Sequence, residues 1–84
     1  MSEIDYSRIR SLRARELIAA LHRDGFTFLP QRGSHHRYGH PDGRLVTVAF
    51  SSPGDTFVLQ TLRSMIERQA RWSQEDLRRL GLVE

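Results

Sequence analysis

The chain is 84 residues long, with a formal net charge of +3 and an isoelectric point of about 10.5; that length fits one domain, residues 1–84, able to fold around a single apolar core without staples. It has no cysteine, which excludes disulfides and thiolate metal sites, and no long apolar run, which excludes a membrane span or signal-peptide core, so a cytoplasmic protein is expected. All 13 basic residues are arginine. Codon usage in a GC-rich genome produces that bias, and so does an RNA- or phosphate-binding surface, because guanidinium forks onto phosphate and stacks on bases.

Residues 1–10 include Ile4, Tyr6 and Ile9 but no period, and are expected to form a loosely packed N-terminal arm. From about Leu12 to Arg23, the residues Ala14, Leu17, Ile18 and Leu21 fall on one helical stripe. Asp24-Gly25 stops this helix, with Gly25 as its left-handed terminal residue. Phe26 to Pro30 is rich in aromatic and β-branched types and reads as a strand, with Pro30 at its exit. Gln31-Arg32-Gly33-Ser34 connects it to a second strand, His35 to His40. Pro41-Asp42-Gly43 supplies a turn, and Arg44 to Phe50 reads as a third strand. In that strand Val46, Val48 and Phe50 share one face, and Leu45, Thr47 and Ala49 the other.

Ser51 to Asp55 is loop. Leu59, Leu62, Met65, Ile66 and Gln69 then mark a second helix. Arg63, Arg68 and Arg71 on or near it read as a solvated face beside Glu67, or as a phosphate-facing ridge from Arg68 and Arg71. Ser73 and Asp76 form a capping-box variant at the start of a short last helix through Leu77 and Leu80, which Gly81 stops. Trp72 is expected to clamp that helix onto the body. The order predicts an α+β fold, α-β-β-β-α in two layers, with a three-stranded antiparallel sheet, helices on one face and the other face open.

The chemistry concentrates in Gly33-Ser34-His35-His36-Arg37-Tyr38 and the following His40-Pro41-Asp42-Gly43-Arg44. Imidazole exchanges protons near neutral pH. Side chains alternate across a strand. If Tyr38 packs on the helices, His36 and His40 share its face, and His35 and Arg37 point to the open one. His35 is therefore the candidate catalyst for metal-independent RNA cleavage, in which the 2′-hydroxyl attacks the adjacent phosphorus. An imidazole can take the 2′-OH proton or protonate the leaving 5′-oxygen. Gly33 and Ser34 are candidates to hold phosphoryl oxygens, and Arg32, Arg37 and Arg44 to offset phosphate charge. His22 reads as a surface residue and His40 as a turn-flanking one. The histidine spacing does not match a zinc site, so no metal and no cofactor is expected.

Three stretches carry a family resemblance: Ala14-Arg15-Glu16-Leu17-Ile18 with Leu21 and Asp24-Gly25-Phe26; Arg32-Gly33-Ser34-His35-His36 with Tyr38, His40-Pro41-Asp42-Gly43-Arg44 and Val46-Thr47-Val48; and Thr61-Leu62-Arg63-Ser64-Met65-Ile66. Over about residues 13–80 the chain resembles the HicA toxins, small messenger-RNA interferases of type II toxin–antitoxin systems. The resemblance implies a fold like a double-stranded RNA-binding domain, metal-independent cleavage of mRNA by one histidine, and a HicB-type antitoxin that covers that histidine. The family histidine maps to His35; members that keep the second histidine instead make His36 the rival. The chain departs from the family at Ala49-Phe50-Ser51-Ser52, where a proline and a histidine are common, at Gln60, where glycine is usual, and in its longer N-terminal arm. A non-catalytic RNA-binding module of the same fold is the alternative function.

Overall fold

A computed structural model describes residues 3–30, 33 and 35–83. Helix α1 (Ala14–Arg23) leads into β1 (Thr27–Leu29), β2 (His35–Gly39) and β3 (Leu45–Ala49), and the chain closes with α2 (Leu59–Arg63) and α3 (Gln74–Arg79). The strands form an antiparallel sheet in the order β1-β2-β3. This is the expected α+β arrangement. Each strand is one or two residues shorter than expected, because Phe26, Pro30, His40, Arg44 and Phe50 flank the pairing without joining it.

Helix α1 buries Ala14, Leu17, Ala20 and Leu21. It begins at Ala14 rather than near Leu12 because a loop completes its first turn. The Ala14 N–H donates to the Asp55 carbonyl at 2.8 Å and the Arg15 N–H to the Pro53 carbonyl at 2.9 Å. These are donors that a helix start leaves without intrahelical partners. The helix ends as its Asp-Gly pair requires: Gly25 has φ +103° and the Phe26 N–H returns to the Leu21 carbonyl at 2.9 Å.

The core lies between the helices and one sheet face. Phe26, Tyr38, Val46 and Val48 meet Leu17, Leu21, Leu62, Met65, Ile66, Trp72 and Leu77 there. After Arg63 the second helix runs on as a wider, π-helical stretch, Ser64–Gln69, and the Ala70 N–H reaches the Met65 carbonyl at 2.9 Å. Gln69 from this stretch accepts the Thr47 N–H at 2.8 Å, which covers the outer edge of β3.

The N-terminal segment corrects the expectation of a loose arm. Tyr6 and Ile9 are 7 and 2% exposed and belong to the core. Tyr6 sits in a short 3₁₀ turn (Tyr6–Arg8), donates its hydroxyl to the Glu67 carboxylate and lies under the Arg63 guanidinium, 5.3 Å from the ring centroid. The tie is made by residues about sixty positions away, which a local pattern cannot reveal.

Candidate active site

The β1–β2 connection carries the site. Gly33 has φ +77° with nothing close to the space a Cβ would take, so it supplies a left-handed bend that other residues adopt only with strain. Arg32 and Ser34, both expected to contact phosphate, lie outside the described residues. His35 opens β2 opposite Ala49, and Arg37 sits opposite Leu29 on one side and Thr47 on the other. Tyr38 is 4% exposed on the helix side. The alternation therefore sends His35 and Arg37 to the open face, two residues or about 7 Å apart along the strand.

Among the described residues His35 is the one histidine with no hydrogen bond, ion pair or ring contact; it is also exposed. The other three are held. His22 Nδ1 donates to the Phe26 carbonyl at 3.1 Å. His36 turns to the helix side and stacks on Phe50, with centroids 4.2 Å apart and planes 20° apart. His40 Nε2 donates to the Asp24 carbonyl at 2.8 Å, while its Nδ1 accepts the Asp42 N–H at 3.1 Å. His36 and His40 thus serve the packing of the hairpin.

The electrostatics of the open face favour an anion. The three strands contain no carboxylate, and Arg37 makes no ion pair among the described residues. Leu29 and Leu45 on the same face are 39 and 38% exposed.

Arg44 is a correction. It precedes β3 on the helix side, and its guanidinium is spent on structure. Nε pairs with Asp42 at 2.7 Å, Nη1 donates to the Ala70 carbonyl at 2.6 Å and meets Asp24 at 3.1 Å, and the group lies 4.9 Å above the Phe26 ring. It is removed from the phosphate-binding set. The hub of this network is Asp24, a residue that sequence patterns mark only as a helix stop. Its carboxylate is 7% exposed and takes Trp72 Nε1 at 2.8 Å and Arg79 at 2.8 Å besides Arg44. Burial pushes the Asp24 carboxyl up, but the hydrogen bonds from Trp72 and Arg79 and the charges of Arg44 and Arg79 outweigh it and hold the group below the ordinary carboxylate range. Trp72 does clamp the last helix, through Asp24.

Residue patterns also passed over an aromatic ladder at the His35 end of the sheet. Phe28, His36 and Phe50 lie side by side on the helix-side face; the first two rings are 6.1 Å apart. The same strand alternation that exposes His35 was enough to find it. No three His, Asp or Glu side chains cluster to hold a metal ion among the described residues.

The family described as the HicA toxin of bacterial toxin-antitoxin matches residues 14–72. That span holds α1, the whole sheet, the second helix and Trp72. Among curated proteins none matches the chain.

Proposed function

The chain belongs to the HicA toxin family and is the toxin of a toxin–antitoxin system; from that premise we propose that it is an endoribonuclease that cuts mRNA through His35 without a metal. The observation that carries this reading is the lone imidazole: among the described residues, His35 is exposed and without a partner, beside Arg37, which has no ion pair, in a sheet whose strands contain no carboxylate.

In the proposed reaction the ribose 2′-oxygen bonds to the adjacent phosphorus and the bond to the 5′-oxygen breaks. The products are a 2′,3′-cyclic phosphate and a 5′-hydroxyl. His35 handles one of the two protons, either accepting it from the 2′-hydroxyl or donating one to the 5′-oxygen; water handles the other. A positioned acid or base is worth about 10²–10⁴ in rate, so a single imidazole makes a slow nuclease. Arg37 offsets the charge that builds on the phosphoryl oxygens. Arg32, Gly33 and Ser34 complete the phosphate cradle in this reading, on the strength of the family motif.

We propose that a HicB-type antitoxin covers the same open face, where half-exposed Leu29 lies opposite Arg37 and half-exposed Leu45 opposite Gly39. No helix among the described residues is long and apolar enough to cross a membrane, and the proposed site of action is the cytoplasm, where mRNA is.

The test is cleavage of RNA by the purified protein in the presence of EDTA. Fragments ending in cyclic phosphate are expected from the wild type and from His36→Ala, and none above background from His35→Ala. Binding without cleavage by the wild type would make the chain an RNA-binding module instead. Loss of activity in His36→Ala but not in His35→Ala would move the catalyst to the other face of β2.

A further inference from the structure

Phe28 stands out because packing does not account for it. It belongs to edge strand β1 on the helix-side face, where its register partner Tyr38 is buried, yet it is 46% exposed. The reason is that α1 covers Tyr38 and leaves the edge open: the His22 ring meets Tyr38 edge-on at 5.7 Å. Behind Phe28 the ladder is built. Its ring contacts Tyr38 at 5.6 Å and His36 at 6.1 Å, and His36 in turn stacks on Phe50 at 4.2 Å. A large, half-exposed aromatic ring is thus held by neighbouring rings that fix its position.

His36 and Phe50 sit at one end of the sheet, and Phe28, paired with Tyr38 further along β2, brings its ring to 6.1 Å from His36. The C-terminal end of β1, the N-terminal end of β2 and the C-terminal end of β3 come together at that end. His35 and His36 are adjacent residues with Cα atoms about 3.8 Å apart, so the candidate catalyst and the middle rung of the ladder lie on opposite sides of a single strand end. A polynucleotide that presents a phosphate to His35 on the open face has its bases within reach of that end.

We infer that Phe28 is a base-stacking platform for single-stranded RNA, positioning the nucleotide next to the scissile phosphate by holding its unstacked base over the end of β2. This inference rests on the nuclease reading and adds to it a substrate class: an unpaired strand rather than a duplex. Every base has a π-face, so the platform is tolerant of sequence. It is closed to paired bases, whose faces are already stacked on their neighbours.

The experiment uses the full chain with His35→Ala as the background, so that RNA is bound but not cut, and a fluorescently labelled single-stranded RNA with a duplex of the same sequence as control. Adding Phe28→Ala is expected to weaken single-strand binding about 5- to 150-fold, the span of losing one base–aromatic stack, and to leave duplex binding within about 2-fold. Phe28→Leu keeps the apolar contact and folds more safely; it is expected to lose single-strand affinity as Phe28→Ala does, while Phe28→Trp retains it. Melting temperatures of all variants are taken alongside. Full single-strand affinity in Phe28→Leu, or an equal loss for duplex and single strand, overturns the stacking role. So does a Phe28 variant that loses antitoxin binding but keeps RNA binding, which would make the ladder a protein contact. If the protein with His35 intact cuts RNA as well after Phe28→Ala as before, only the platform falls; if the wild-type protein neither binds nor cuts RNA, the nuclease reading falls with it.

Discussion

Removing the Asp24 carboxylate is expected to loosen the whole C-terminal half of the fold while leaving the His35 face untouched. The side chain is 7% exposed and accepts from Trp72 and Arg79 and pairs with Arg44; its backbone carbonyl takes His40. Breaking a buried pair by deleting one partner costs about 3–5 kcal/mol. The lower end applies here, because both arginines keep other partners: Arg44 retains Asp42 and the Ala70 carbonyl, and half-exposed Arg79 retains Asp76. Asp24→Ala should therefore destabilise by about 3 kcal/mol, a loss that lowers the melting temperature of a domain this size by roughly 12–24 °C. Asp24→Asn keeps an acceptor for the buried Trp72 N–H and should fall about halfway between. Trp72 is the only tryptophan, so its fluorescence follows urea or thermal unfolding at the hub itself. The sign with pH follows from the lowered pKa. The stabilisation is fully present above the ordinary carboxylate pKa near 4 and is lost as pH falls through the still lower folded value. Asp42 and Asp76 are also held low, so the difference between wild type and Asp24→Asn isolates the contribution of Asp24, and it should shrink as the pH drops below about 4. An Asp24→Ala melt within about 3 °C of the wild type would refute the hub.

Three further outcomes are expected. Arg71 carries φ +57° just after the second helix, a conformation that favours glycine, so Arg71→Gly should stabilise by about 1 kcal/mol in a urea melt. Arg37→Ala should weaken RNA binding across sequences and reduce its salt slope by about one phosphate; Arg44→Ala should instead lower the melting temperature and leave the slope unchanged.

What a local period could express was legible: the stripe Ala14, Leu17 and Leu21, the alternation of Val46 and Val48, and the outward turn of His35, which followed from assigning Tyr38 to the core. The rest depends on contacts between distant residues. An arginine in a sequence does not declare whether its charge is already taken. Arg37 and Arg44 looked equally suited to phosphate, and what separates them is Asp24, twenty positions before Arg44, brought near by the return of the hairpin. The start of α1 at Ala14 has the same cause, since the acceptors that complete it are carbonyls of the loop after β3.

The division of labour among the histidines follows from that contrast. A polar side chain becomes available for chemistry when the fold offers it no other partner, and the sheet does this by parity. Residues on the helix side, His36 and His40, are drawn into rings and carbonyls that need them, as is Arg44. Residues on the open side, His35 and Arg37, have Leu29, Leu45, Thr47 and Ala49 as their neighbours among the described strand residues, and none of these carries a charge. A one-residue slip of β2 would exchange the two sets, sending His35 into the aromatic ladder and Tyr38 into water. The burial of Tyr38 among Val46, Phe26 and the helices opposes that slip, so the residue that keeps the candidate catalyst exposed is one that has no part in the chemistry.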